Sequence, residues 1–250
     1  MMRKTSKQMR DTVDKMTLPI FVVSRFHKLF YNDSKPSPTE HIGLAFSQLR
    51  VISSVCLITK IELVDCGLNS ENMHLLARII SDSPDLTYLD IGFNDIQAGI
   101  NEIFDPLAKC SRLTTLILTG NFIGDVGLKG LEDVVAHLSE LQYLDLSRNN
   151  ITSEGLESFA PSLIFTPRLR FLHLSNNKTC NGVSTLSSVM HLCSDLIHID
   201  LSHTNFGTFG YMLMYMNMPR LRRVTLVLIG NKSLDEVTIW SDLNNYDIVM

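Results

Sequence analysis

The chain has 250 residues, 45% of them hydrophobic and 19% charged, with 8 Pro and 13 Gly. These proportions suit one globular domain or one repeat array and exclude a disordered or collagen-like chain. Net charge is −4, and no apolar run approaches the ~20 residues that cross a bilayer, so no membrane span is expected.

Charge is unevenly placed. Residues 1–35 carry Arg3, Lys4, Lys7, Arg10, Lys15, Arg25, Lys28 and Lys35 against Asp11, Asp14 and Asp33, a balance of +5 that leaves residues 36–250 at −9. An acidic body disfavours nucleic acid, because phosphate binding needs a clustered basic face. The basic arm is expected to be a solvated tail, or to touch an acidic protein, RNA or an anionic surface. Residues 1–16 lack a hydrophobic stretch, so no secretory signal is expected, and Asp11 and Asp14 argue against a mitochondrial presequence. Five cysteines (Cys56, Cys66, Cys110, Cys180, Cys193) without a CxxC pair indicate neither a disulfide framework nor a zinc site. A reducing intracellular compartment is the expected home, which makes the sequons at Asn150, Asn177 and Asn231 chance matches.

Leu18–Val23 and Phe26–Tyr31 are apolar enough to pack on whatever follows. Ser37-Pro38-Thr39-Glu40 reads as a capping box with Pro at the first helical position. The helix it starts would place Ile42, Ala45, Phe46, Leu49 and Ile52 on one face.

From residue 58 the sequence repeats. A degenerate copy, Ile58, Ile61, Leu63, Cys66, Leu68, is followed by four clean ones. These are Leu86/Leu89/Ile91/Asn94/Ile96, Leu113/Leu116/Leu118/Asn121/Ile123, Leu141/Leu144/Leu146/Asn149/Ile151 and Leu169/Leu172/Leu174/Asn177/Thr179. All fit L-x-x-L-x-L-x-x-N-x-L. Weaker copies begin at Leu196 (Ile199, Leu201, Thr204, Phe206) and Leu221 (Val224, Leu226, with Ile229 in the Asn slot). Within each copy the alternation of Leu with polar residues is a strand with one buried face. Between copies the period changes to helical. In 70–82 the stripe is Met73, Leu75, Leu76, Ile79 and Ile80, closed by Ser83-Pro84; in 124–139 it is Val126, Leu128, Leu131, Val134, Val135 and Leu138. One strand-plus-helix unit cannot bury both faces alone, so the copies must stack.

This pattern resembles the leucine-rich-repeat family, and its spacings of 28, 27, 28, 28, 27 and 25 residues resemble the long-repeat, ribonuclease-inhibitor-like subclass. The resemblance implies an α/β solenoid with a parallel sheet on the concave face and helices on the convex face. Strands stack at ~4.8 Å while helices need ~8–10 Å, which bends the array in that sense. The expected organisation is a basic N-terminal arm and cap segment (1–35), about seven coils (36–232) and a C-terminal cap (233–250) in which Val237, Ile239 and Trp240 cover the last coil. Asn94, Asn121, Asn149 and Asn177 form a structural ladder, each amide satisfying the backbone of the turn leaving its strand.

The register also lays out the concave face. One column is Lys60, Tyr88, Thr115, Tyr143, Phe171, His198, Arg223; the next is Glu62, Asp90, Ile117, Asp145, His173, Asp200, Thr225; the third is Val64, Gly92, Thr119, Ser147, Ser175, Ser202, Val227. Aromatics beside carboxylates have the composition of a binding hot spot, and the acids favour a partner with a basic contact segment. The expected contacts are Tyr88, Asp90, Tyr143, Asp145, Phe171, His173, His198 and Asp200. His173, His198, Asp200 and His203 fall on adjacent coils, but they lack a tight metal motif, and solvated histidines are the simpler reading. The Met-rich run Tyr211–Met218 is expected to pack under the C-terminal cap, with docking as the alternative.

Nucleotide, zinc-protease and hydrolase motifs are absent, and Gly124, Gly127 and Gly130 have the wrong spacing for a dinucleotide loop. No catalytic, cofactor or metal residue is assigned. The resemblance implies a non-catalytic scaffold that binds a protein on its concave face, inside a larger intracellular assembly. A regulator of another enzyme, such as a GTPase-activating or inhibitory protein, and a cytoskeletal or axonemal component are the alternatives, with a cytoplasmic or cytoskeleton- or flagellum-associated location.

Overall fold

The computed structural model describes residues 21–22, 57–205, 207, 224–231 and 247–249. Among the described residues nine short strands form one parallel sheet in which chain order is also spatial order. They are β1 Phe21–Val22, β2 Lys60–Glu62, β3 Tyr88–Asp90, β4 Thr115–Ile117, β5 Tyr143–Asp145, β6 Phe171–His173, β7 His198–Asp200, β8 Thr225–Val227 and β9 Asp247–Val249. This is an α/β leucine-rich-repeat solenoid. The middle residue of each strand from β2 to β8 points inward: Ile61, Leu89, Leu116, Leu144, Leu172, Ile199 and Leu226 are all at most 1% exposed. These partners step along the chain by 28, 27, 28, 28, 27 and 27 residues. A near-constant step keeps side chains of equal rank stacked, which is what builds columns on the outer face of the sheet.

The return segments carry α1 Met73–Ser81, α2 Phe104–Leu107, α3 Gly124–Val135, α4 Ser153–Phe159 and α5 Val183–Val189. Tighter 3₁₀ turns span Gln97–Ile103, Ala160–Phe165, Cys180–Gly182 and Met190–Leu192. In α1, Met73, Leu76, Ile79 and Ile80 are buried, and Ser83 Oγ donates to Ile79 O at the helix end. In α3 the buried set is Gly127, Leu128, Leu131, Val134 and Val135. Val126 is a correction: it follows the apolar stripe in sequence but is 68% exposed, because the helix turns that flank outward. Gly130 is required by packing, since a Cβ there would lie 2.4 Å from the Phe104 ring on the preceding coil.

The last coil needs a second correction. Thr225 pairs with His198 and Leu226 with Ile199, so the true repeat begins two residues later than Leu221/Val224/Leu226 suggests. The Asn slot belongs to Asn231, not Ile229: its Nδ2 donates to Leu201 O (2.7 Å) and Leu228 O (3.0 Å). Thr225 and Val227 therefore each move one column earlier, and Ile229 takes the third. Ser37–Glu40 and its helix to Ile52, Phe26–Tyr31, Phe206, Tyr211–Met218, Leu221, Arg223, Val237, Ile239 and Trp240 lie outside the described residues.

Candidate functional site

The Asn ladder fixes the strand exits that carry the site. Asn121 donates from Nδ2 to Ile91 O and Leu118 O at 2.9 Å each, and its Oδ1 accepts the backbone N–H of Asn94 at 3.2 Å. Asn149 and Asn177 repeat the arrangement one coil further on, and Asn94 serves Cys66 and Leu68 of the first coil. Each amide thus bridges two coils, and none of the four is more than 6% exposed. Thr204 fills the slot on the sixth coil with a single bond to its own turn, Oγ1 to Leu201 O at 2.6 Å.

With the strands locked, two rows of side chains face outward. The first row reads Lys60, Tyr88, Thr115, Tyr143, Phe171, His198, Thr225 and the second Glu62, Asp90, Ile117, Asp145, His173, Asp200, Val227. All except Asp90, which is buried, are half-buried, as expected of neighbours packed shoulder to shoulder on an inward-curving wall. At one end the Lys60 ammonium lies 4.2 Å from the centre of the Tyr88 ring and 3.1 Å from the Glu62 carboxylate. At the other end four rings form a cluster. Tyr143 stacks on His173 (5.0 Å) and meets Phe171 (5.8 Å); His198 meets His173 (5.1 Å) and Phe171 (6.0 Å).

The three aspartates share one local device. Oδ1 of Asp90, Asp145 and Asp200 accepts the backbone N–H two residues on, from Gly92 (2.9 Å), Ser147 (2.8 Å) and Ser202 (2.9 Å). One oxygen of each holds the strand exit, and the second is left out of that bond. For Asp200 that second oxygen sits 3.9 Å from His173 Nδ1, too far for a hydrogen bond but near enough for an ion pair with a protonated ring. His173 Nε2 is buried without a hydrogen-bond partner.

Electrostatics divide the groove in two. Burial lifts the Asp90 carboxyl above the usual range despite the Gly92 amide, and Glu62 and Asp145 lift it further while Lys60 opposes. Burial, then Asp90 and Glu62, push the Tyr88 hydroxyl up to about 12, and Tyr143 is raised by burial and by Asp145, Asp90 and Asp200. Burial also acts to raise Asp200, but His173 and Ser202 outweigh it and hold the carboxyl below the usual range. Burial and the neighbouring His173 lower His198.

His203 does not join this cluster. It sits on the turn after β7 with φ 54°, exposed, its ring over Gly230. Among the described residues no three His, Cys, Asp or Glu side chains converge in metal-binding geometry. Absent from the sequence expectations are Phe93 and Phe122, 52% and 54% exposed, with φ of 56° and 55°. Their only signal is position: they flank the ladder asparagines, where other coils place Gly120 or Asn150.

A family model described as the MHP1/HER1/GIP3 LRR domain matches residues 20–204. Among curated proteins no relative matches the chain. Among solved structures the chain is similar to an internalin (inlF) from Listeria monocytogenes str. 4b F2365, with 18% identity and a TM-score of 0.49 over 87% of this chain and 72% of that one.

Proposed function

The chain belongs to the MHP1/HER1/GIP3 LRR domain family, and from that premise we propose that it is a non-catalytic scaffold that grips a partner protein on the outer face of its sheet, inside a larger intracellular assembly. The observation that carries this reading is the pairing of two in-register rows on a preformed wall, one rich in aromatic rings and the other in carboxylates. Tyr88, Tyr143 and Phe171 supply rigid contact area at low entropic cost, and Asp90, Asp145 and Asp200 supply charge that selects a basic segment. The steps of 27 and 28 residues with helical returns support placing the coils with the ribonuclease-inhibitor-like subclass. The basic residues of 1–35 fit a further contact with an acidic surface, and a cytoplasmic or cytoskeletal setting goes with that.

The test is affinity capture from the native cell with the full chain and with Tyr143→Ala/Asp145→Lys. Loss of the principal partner, with a far-ultraviolet spectrum unchanged, is the expected result. Equal capture by both chains would refute the assignment of this face.

A further inference from the structure

Tyr88 and Tyr143 stand in register on either side of Thr115, two strand spacings apart, about 10 Å at the backbone. Their outer sides are occupied: Tyr88 carries Lys60 from the coil before, and Tyr143 carries His173 and Phe171 from the coil after. The inner sides look across Thr115. In the second row Asp90 and Asp145 flank Ile117 in the same way. The result is a slot with two phenol walls, a floor of one methyl-bearing and one aliphatic side chain, and two carboxylates on one edge. Inward curvature of the wall narrows it toward the side-chain tips.

We propose that this slot takes one arginine side chain of the partner protein. This inference rests on the concave-face reading and names the contact at its centre. Size and chemistry agree. A guanidinium is flat, stacks on aromatic faces and forks toward carboxylates, while its methylenes lie along apolar surface. Charge agrees as well: Glu62 and Asp145 both act on Asp90, and among the described residues Lys60 is the cation that offsets it. Tyr143 is close enough to Tyr88 to disfavour the ionised form of that phenol. The chain holds its own precedent one coil away, where Lys60 lies over the outer side of Tyr88 and reaches Glu62 in the second row. The inner side of the same ring, with Asp90 beside it, repeats those surroundings without a cation of its own among the described residues.

The probe is acetyl-arginine amide, titrated into the isotope-labelled full chain and followed by nuclear magnetic resonance, with acetyl-citrulline amide as the neutral isostere. The arginine probe is expected to shift the amides of Thr115 and Ile117 and the rings of Tyr88 and Tyr143 saturably. Asp145→Asn, which keeps an acceptor for the Ser147 amide, should weaken it at least fivefold. Thr115→Tyr, which fills the slot with a good strand former and leaves every charge in place, should abolish it. Equal shifts from citrulline, shifts confined to other coils, or an unchanged response in Thr115→Tyr would overturn the assignment. Partner capture separates the two readings. Capture sensitive to Phe171→Ala but indifferent to Thr115→Tyr sinks the slot alone; capture indifferent to both sinks the reading beneath it.

Discussion

The side-chain oxygen of Asn177 accepts the backbone N–H of Asn149 at 3.0 Å, and Asn149 passes the same bond to Asn121 at 3.0 Å. A buried amide that satisfies groups on two coils is costly to remove, because the groups it leaves behind are sealed from water. Asn149→Ala strips partners from Leu118 O, Leu146 O and the Asn121 N–H. We expect a loss of about 2–4 kcal/mol, several times that of a surface change, read as a lower denaturant midpoint with an unchanged slope. A loss below about 1 kcal/mol would mean that water or neighbouring groups replace the amide.

Thr204 breaks this ladder. A hydroxyl has one hydrogen to give, and it is spent on Leu201 O, whereas the amide of Asn177 gives to Leu146 O and Leu174 O. Thr204→Asn should restore the double bridge, to Leu174 O and Leu201 O, and stabilise the fifth and sixth coils by about 1 kcal/mol. Hydrogen exchange of the Leu174, Asn177 and Ile199 amides is the local measurement. Faster exchange there would show that the slot is shaped for threonine.

Ionising Asp90 carries a cost in the folded chain, because the carboxyl is buried and faced by Glu62 and Asp145. Its carboxyl pKa is raised on folding, so the penalty is present above the folded pKa and disappears as pH falls below the unfolded value of about 3.9. Asp90→Asn keeps an acceptor for the Gly92 amide and should raise the melting temperature at pH 7, with the gain vanishing near pH 3.5. A gain that persists at pH 3.5 would point to packing instead of charge.

Phe122 pairs two disfavoured conditions, a left-handed backbone at φ 55° and a half-exposed ring. The cost of that backbone for a residue with a Cβ is about 1–2 kcal/mol, and asparagine tolerates it better. Phe122→Asn should therefore stabilise the fold by about 0.5–1 kcal/mol in thermal unfolding. A decrease would show that the ring packs more tightly than its exposure suggests.

The repeats from residue 86 to 179 were legible because three independent signals coincide in them: the strand alternation, the invariant amide and the near-constant step. The last coil was misread for a physical reason. A strand has a side-chain period of two, so a frame shifted by two keeps every residue on its proper face, and Leu221/Val224/Leu226 imitated the motif. Gly230-Asn231, with Gly230 at φ 71°, was the better marker. The membership of each column up to His198 followed from the register alone. What did not follow is how the side chains turn once placed. That Lys60 lies on Tyr88, that His173 stacks on Tyr143 and that His203 leaves the cluster are decided by rotamers and turn dihedrals, which one-dimensional periodicity does not carry.

Because each amide bridge joins a coil only to its neighbour, a force applied along the array has no distant tie to oppose it. Pulled from its ends, the solenoid should yield as a zipper does, one unit at a time. Each event would release one register step of 27 or 28 residues, lengthening the tether by roughly 90–100 Å. A protein that gives way in such equal increments has the makings of a graded tether as well as a clamp.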